Sequence, residues 1–90
     1  MARITVRMYA TLRDLSGEPE RDLDAGNLDD VLTALGDIYG ERMTGAIEGL
    51  LGSDGLVILV NGRNVALAAL GRVPLKDGDE VAIFPPVSGG

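Results

Sequence analysis

The chain has 90 residues, 46% of them hydrophobic and 3% aromatic, so we expect one small domain with an aliphatic core. It has no cysteine and no histidine, which excludes a disulfide framework, a cysteine or histidine metal site and the commonest general base. The net charge of −6 disfavours nucleic acid and anionic membrane as partners, and no apolar run reaches the ~18 residues of a membrane span. Because Arg3 and Arg7 interrupt the start, it does not resemble a signal peptide, and we expect a cytoplasmic protein.

The first third of the chain predicts a β-hairpin. Residues 3–9 alternate between polar and apolar side chains, as in a half-buried strand. Residues 10–17 are expected to form a polar connector anchored by Leu12 and Leu15. Residues 20–24 alternate weakly, which predicts a second, antiparallel strand at the edge of a sheet, where charges are tolerated.

A helix is predicted to begin after Asn27. The Asn27 side chain can cap free amides, and Asp30 stands at the third helical position, as in a capping box. Gly40 suits the end of the helix, and Gly36 within it is expected to be a mild defect. A second short helix over residues 41–51 is weakened by two glycines. The apolar face of the first helix comprises Leu28, Val31, Leu32, Leu35 and Ile38.

The remainder of the chain is mostly extended. The dipeptide Asn61-Gly62 is a strong hairpin signal after an apolar strand. Pro74 denies its segment a full set of ladder hydrogen bonds. The predicted segments are a strand at 56–60, a short return at 63–67, a brief extended piece at 73–75, a turn at 76–79 and a last strand at 80–84.

This order of elements predicts an α+β fold of the β-grasp type. A hairpin followed by a helical crossover can place the last strand beside the first and parallel to it. We expect a mixed sheet of four to five strands with one main helix packed on one face. Residues 1–84 would form this domain, and residues 85–90 a flexible, extended tail.

Conventional catalytic motifs have simpler explanations. The carboxylates at residues 29–30 suit helix capping, and those at 77–80 suit a turn that lacks the further ligands of a calcium loop. No histidine is present to activate a serine. Lys76 is either a turn lysine or a candidate modification site. Arg3 and Arg7 form either a solvated strand face or a surface that docks an acidic patch.

The tail, "FPPVSGG", has an unusual composition for a chain end. Proline fixes its own φ and holds the preceding residue extended, so Phe84 and Pro85 are both held extended and Pro86 stiffens the exit. Gly89 and Gly90 lack Cβ atoms and allow a narrow cross-section. Residues 85–90 reach about 20 Å when extended, enough to enter a slot in another protein.

A terminal carboxylate becomes reactive only when it is activated. Adenylation by ATP makes it an acyl donor, which a sulfur or amine nucleophile converts into a thiocarboxylate or an amide. The chain lacks residues to hold ATP, so the sequence implies an adenylating partner and no cofactor or metal on the chain itself.

Three segments carry a resemblance to a known family. The sequences "VRMYATLRDLSG" (residues 6–17), "VILVNGRNV" (57–65) and "LKDGDEVAIFPPVSGG" (75–90) resemble those of the MoaD/ThiS-type sulfur carriers. This family includes the small subunit of molybdopterin synthase and is close to the small archaeal modifier proteins. The resemblance spans essentially the whole chain and implies a ubiquitin-like β-grasp fold.

The resemblance also implies a reaction cycle in which the chain is a carrier and not an enzyme. An adenylating enzyme of the ubiquitin-activating type would adenylate Gly90, and a sulfur donor would convert it into a thiocarboxylate. The large subunit of molybdopterin synthase would receive the tail for molybdenum cofactor biosynthesis. The alternatives are an isopeptide bond between Gly90 and protein lysines, or sulfur donation to tRNA thiolation. The tail residues implied to bind the partner are Phe84, Pro85, Pro86, Val87, Ser88 and Gly89.

Overall fold

The computed structural model describes residues 1–53 and 55–85. In these residues five strands form one mixed sheet in the order β2-β1-β5-β3-β4. The strands are β1 (Ala2–Met8), β2 (Glu20–Ala25), β3 (Val57–Val60), β4 (Arg63–Val65) and β5 (Glu80–Phe84); the helices are α1 (Ala10–Ser16), α2 (Leu28–Tyr39), α3 (Glu41–Gly52) and a 3-10 helix (Leu67–Arg72).

The sheet confirms the predicted β-grasp topology. Strand β1 pairs antiparallel with β2 and parallel with β5, with Val6 opposite Val81. Strand β5 also pairs antiparallel with β3, which continues into β4 through the predicted hairpin turn at Asn61 and Gly62. Both turn residues have positive φ, 51° and 83°, as this tight turn requires. The charged strand β2 lies at an edge, as its sequence predicts.

The core lies between the sheet and the helices that cover one of its faces. Strand β1 buries alternate residues, as expected for a half-covered strand. Helix α2 buries Leu28, Val31, Leu32 and Leu35. Its N-cap is also confirmed: Asn27 Oδ1 accepts a hydrogen bond from Asp30 N at 2.9 Å, while Asp30 Oδ2 accepts one from Gly26 N at 3.0 Å. The reciprocal bond of the capping box therefore reaches one residue further back than predicted.

The expectation of one main helix was too low. The predicted connector at residues 10–17 contains a seven-residue helix, α1, which ends at Gly17 in the left-handed conformation with φ of 76°. Leu12 is fully buried and Leu15 half-buried, so the two anchors face the core from one side of this helix. Two apolar positions in seven residues are too few for a helical period to be recognised in the sequence. The 3-10 helix was likewise not predicted.

Gly36 is a packing site, not merely a defect in α2. A Cβ atom at this position would overlap the Oγ1 atom of Thr44 on α3. The glycine therefore lets α2 and α3 approach closely, and this packing stabilises α3 despite the glycines of α3. Gly45, by contrast, has open space where its Cβ would lie.

The predicted tail lies largely outside the described residues. Of residues 85–90, only Pro85 is described, and the boundary predicted after residue 84 stays a prediction. In the described part of the chain, no helix combines the length and apolar character needed to cross a membrane.

Candidate functional site

The described chain ends at the centre of the sheet. Strand β5 is third in the order of five strands, with β1 on one side and β3 on the other. Phe84, its last residue, pairs with Val57 of β3, and Pro85 is half-buried. A central strand is held by hydrogen bonds on both edges, so the point from which the tail departs is rigidly placed.

Two of the three aromatic residues meet at this point. The rings of Tyr9 and Phe84 are stacked, with centroids 4.2 Å apart and planes inclined by 10°. Tyr9 directly follows β1 and Phe84 ends β5, so the parallel pairing of these strands brings the two rings together. Such a pair contributes about 0.5–1.5 kcal/mol beyond its buried area and fixes the orientation of the residue before Pro85.

The sheet face opposite the helices, here called the open face, carries a shallow pocket beside this stack. Its volume is about 460 Å³. Leu59 and Ala82 are half-buried and lie side by side on neighbouring strands, which gives the pocket an apolar floor. The residues lining the pocket are Arg7, Tyr9, Leu59, Asn61, Gly62, Glu80, Ala82 and Phe84.

Ion pairs form one border of the open face. Arg7 Nε lies 2.7 Å from Glu80 Oε1 and 3.6 Å from Glu20 Oε2, while Arg3 pairs with Asp24 at 3.4 Å. These side chains are about half exposed, so each pair contributes little stability, of order 0–1 kcal/mol. Both arginines lie on a solvated strand face, the first of the two alternatives given for them, and carboxylates on adjacent strands balance their charges; docking of an acidic patch stays a prediction.

A hydrogen-bonded turn connects the start of β5 to the β3–β4 hairpin. Asp79 accepts hydrogen bonds from Lys76 N at 2.8 Å and from Asn61 Nδ2 at 2.9 Å. These bonds, the backbone bond first, lower the pKa of the Asp79 carboxyl below its ordinary value. Asn61 Oδ1 in turn accepts a bond from Glu80 N at 2.9 Å. The predicted turn at residues 76–79 is therefore confirmed, and it aligns the start of β5 with the open face.

The predicted site residues are only partly brought together. Phe84 and Pro85 lie at the end of β5, whereas the exposed Lys76 lies before its start, a strand length of about 16 Å away. Pro86, Val87, Ser88, Gly89 and Gly90 lie outside the described residues, so their predicted roles stay predictions. Among the described residues there is no cluster of three or more acidic side chains arranged to hold a metal ion.

Sequence reasoning missed Tyr9 and Ala82 as parts of the same surface. Tyr9 continues the phase of Arg3, Thr5 and Arg7, the polar positions of β1. An aromatic residue in a solvent-facing phase is the signal that could have identified it. The strand predicted at 56–60 also contributes to the open face, through Leu59.

A mixed sheet with parallel first and last strands, covered by helices on one face, defines a ubiquitin-like β-grasp protein. The sequence matches the ThiS family over residues 6–90. Small archaeal modifier protein 3 of Haloferax volcanii is 35% identical over 95 residues, which cover 97% of this chain and 98% of that protein. A putative sulfur carrier protein of Archaeoglobus fulgidus is 34% identical over 92 residues, with the same coverage.

Solved structures agree with this assignment. Small archaeal modifier protein 1 from Methanosarcina acetivorans has a TM-score of 0.73 and 35% identity, covering 100% of this chain and 98% of its own. A putative molybdopterin converting factor, subunit 1, from Pyrococcus furiosus has a TM-score of 0.67 and 25% identity, covering 97% and 100%. The chain belongs to the ThiS family, a group of ubiquitin-like sulfur carriers and small modifiers.

Proposed function

We propose that this chain is a sulfur carrier that acts as the small subunit of molybdopterin synthase in molybdenum cofactor biosynthesis. The observation that carries the proposal is the rigid origin of the tail. Phe84 ends the central strand and is stacked on Tyr9, and the sequence after it runs through two prolines to Gly89-Gly90. A fixed origin lowers the entropic cost of placing the tail in a partner's slot.

The proposed chemistry takes place at the carboxylate of Gly90. The carboxylate attacks the α-phosphorus of ATP and releases pyrophosphate, which gives an acyl-adenylate. Hydrosulfide supplied by the donor then attacks the acyl carbon and displaces AMP, and loss of the remaining proton leaves a thiocarboxylate, so a C–S bond replaces a C–O bond with no change in oxidation state. In this scheme a ubiquitin-activating-type enzyme binds the ATP, and the chain itself is a non-catalytic carrier without a cofactor.

The open face is the proposed docking surface for the adenylating enzyme and for the synthase large subunit. Its pocket of about 460 Å³ lies directly beside the residue from which the tail departs. An apolar side chain of the partner would occupy the floor at Leu59 and Ala82, while the Arg7–Glu80 pair offers both charges at the border. Burial of such an anchor commonly supplies most of the binding energy in an interface.

Covalent modification of proteins is the second candidate function. It is favoured by the 35% identity to small archaeal modifier protein 3. In this case the activated Gly90 carbonyl would be attacked by a lysine amine of a target protein, releasing AMP and forming an isopeptide bond. Lys76, the single lysine of the chain and an exposed residue, would be the lysine on which a second copy could be attached.

Intact mass spectrometry tests the carrier function. After incubation with ATP, the cognate adenylating enzyme and a sulfur donor, we expect a gain of about 16 Da as one oxygen is replaced by sulfur. A chain lacking Gly90 serves as the control and should not gain mass. If the full chain also shows no gain, the carrier proposal is wrong.

A second measurement separates the two functions. The thiocarboxylated chain, mixed with the synthase large subunit and the pterin precursor, should lose the added 16 Da as sulfur is transferred. If the chain instead leaves a Gly-Gly remnant on lysines of other proteins in cells, and sulfur is not transferred to the pterin, modification is its function.

A further inference from the structure

A groove between α2 and α3 is not part of the proposed carrier site. Its volume is about 530 Å³, and none of its lining residues lines the pocket on the open face. Leu32 and Ile47 are almost fully buried and form its floor with the half-buried Leu51. Three exposed carboxylates stand at its border: Asp29 and Asp37 on α2, and Glu48 on α3. We call this feature the acidic groove.

The charges of the acidic groove are not balanced by the fold. Within residues 1–53 and 55–85, no arginine forms an ion pair with Asp29, Asp37 or Glu48. Asp29 lies in the first turn of α2, where the helix dipole favours a negative charge. Asp37 lies in the last turn, where the dipole disfavours one, and that turn has no basic residue. Helix stability therefore does not explain Asp37.

We propose that the acidic groove binds a basic, amphipathic helix of a partner protein. Its apolar floor can accept one aliphatic side chain, and its carboxylates are complementary to lysine or arginine on either side of that residue. The groove lies in the helical layer, so a partner bound here would leave the open face accessible. The proposal goes beyond the carrier function and does not depend on it.

The spacing of the carboxylates specifies the partner. Asp29 and Asp37 are eight residues apart, which corresponds to about 12 Å along the axis of α2. A helix lying along α2 would meet both carboxylates with basic residues two turns apart. Its apolar residue would lie one turn from each, above Leu32 and Ile47. Glu48 would bind the basic residue from the opposite side of the groove.

Binding of a designed peptide to the full chain tests this proposal. The probe is an alanine-based peptide of about 15 residues, long enough to form a helix, with two arginines two turns apart and a leucine midway between them. In ¹⁵N-correlated NMR spectra we expect shifts at Thr33, Asp37, Thr44 and Glu48. The double variant D37N/E48Q should bind the peptide about threefold to tenfold more weakly, because two exposed charge pairs are lost.

A variant with the same change in net charge provides the matched control. D14N/E41Q neutralises two exposed carboxylates that do not line the groove, and it should bind the peptide as the unmodified chain does. A peptide with its arginines on opposite helical faces should bind more weakly than the probe. The thermal midpoint of D37N/E48Q should not fall, since neither side chain makes a hydrogen bond or ion pair in the described part of the chain.

Two results would overturn the proposal. One is an equal loss of affinity in D37N/E48Q and D14N/E41Q, because binding would then follow net charge alone. The other is a set of NMR shifts centred on Arg7 and Ala82, which would place the peptide on the open face. Neither result would affect the carrier function, since the mass gain at Gly90 is measured without the peptide.

Discussion

At the scale of single residues, the stacked pair of Tyr9 and Phe84 connects the fold to the proposed function. Aromatic residues are scarce in this chain, and two of the three lie where β1 and β5 end. The stack lies on the solvent-facing side of the sheet, beside a pocket with an apolar floor and charged residues at its border. Exposure of these aromatic rings to water is unfavourable, and a partner that covers the stack would remove that cost.

Tyr9→Ala should therefore affect partner binding more than stability. We expect the free energy of unfolding to fall by about 1 kcal/mol as the stack is lost. The KM of the adenylating enzyme for the chain should rise, measured from initial rates of the 16 Da mass gain. Tyr39→Phe is the control, because Tyr39 lies at the end of α2 and does not line the pocket. An unchanged KM in Tyr9→Ala would show that the stack is not part of the docking surface.

Asp79 gives the stability of the fold a dependence on pH. Its pKa in the folded chain is lower than in the unfolded chain, so its carboxylate form stabilises the fold at neutral pH. This contribution is complete above the unfolded pKa of about 4 and is lost as the pH falls through the lower folded value. Urea unfolding between neutral and acidic pH should show the loss. In Asp79→Asn the stability at neutral pH should be lower by about 1 kcal/mol, and the difference from the unmodified chain should shrink at low pH.

At the scale of elements, the approach of α2 to α3 depends on one small residue. Gly36 leaves room for Thr44 Oγ1, whereas Gly45 faces open space. The two glycines thus have the same intrinsic effect on a helix but different surroundings, which makes them a matched pair.

Gly45→Ala should stabilise the chain by about 0.5–1 kcal/mol through helix propensity. Gly36→Ala should be less stable than Gly45→Ala by about 1 kcal/mol, because the Thr44 side chain must leave its position to make room for the added methyl group. In a Thr44→Ala background this difference should disappear. Thermal unfolding measures this difference for Gly36→Ala and Gly45→Ala in both backgrounds, with the unmodified chain and Thr44→Ala as references. Equal effects of the two glycine substitutions in the unmodified chain would contradict the packing role of Gly36.

At the same scale, the two faces of the sheet have different roles. Helices α1, α2 and α3 cover one face and bury the alternate residues of β1 and β5. The other face carries ion pairs and a shallow pocket with an apolar floor. A partner bound to the open face need not disturb the core.

At the scale of the whole molecule, stability and the proposed chemistry are separated along the chain. The core is complete within the described residues and ends at Ile83, one residue before the stack. The reacting group is proposed to be the carboxylate of Gly90, beyond the last strand. Changes at the chain end should therefore alter function without altering the fold.

An alanine appended after Gly90 tests this separation. The thermal midpoint should remain that of the unmodified chain, since no core residue is changed. The gain of 16 Da should be abolished if the adenylating enzyme requires a diglycine end, provided that no protease restores it. A gain at the appended alanine, as large and as fast as at Gly90, would show that the diglycine end is not required.

Local sequence patterns were sufficient for the elements with strong, short-range signals. The alternation of β1, the Asn27 cap of α2 and the Asn61-Gly62 turn were predicted from such signals and are confirmed. The parallel pairing of the first and last strands joins distant segments; it was predicted from the order of the elements and is also confirmed. Helix α1 was not predicted, because its two apolar anchors become a helical face only when the core is present to bury them. The role of Gly36 was hidden for a similar reason, since Thr44 is its neighbour only in the folded chain.

What the sequence by itself determined is the β-grasp fold, the family resemblance and the composition of the chain end, because each follows from local motifs and from their order along the chain. Only the tertiary structure decided which side chains share a surface. Tyr9 stacks on Phe84, which is 75 positions later in the chain, and Asp37 and Glu48, which are 11 positions apart on different helices, line one groove. Such contacts arise when strands and helices pack, and packing depends on the whole set of buried side chains, not on any one segment.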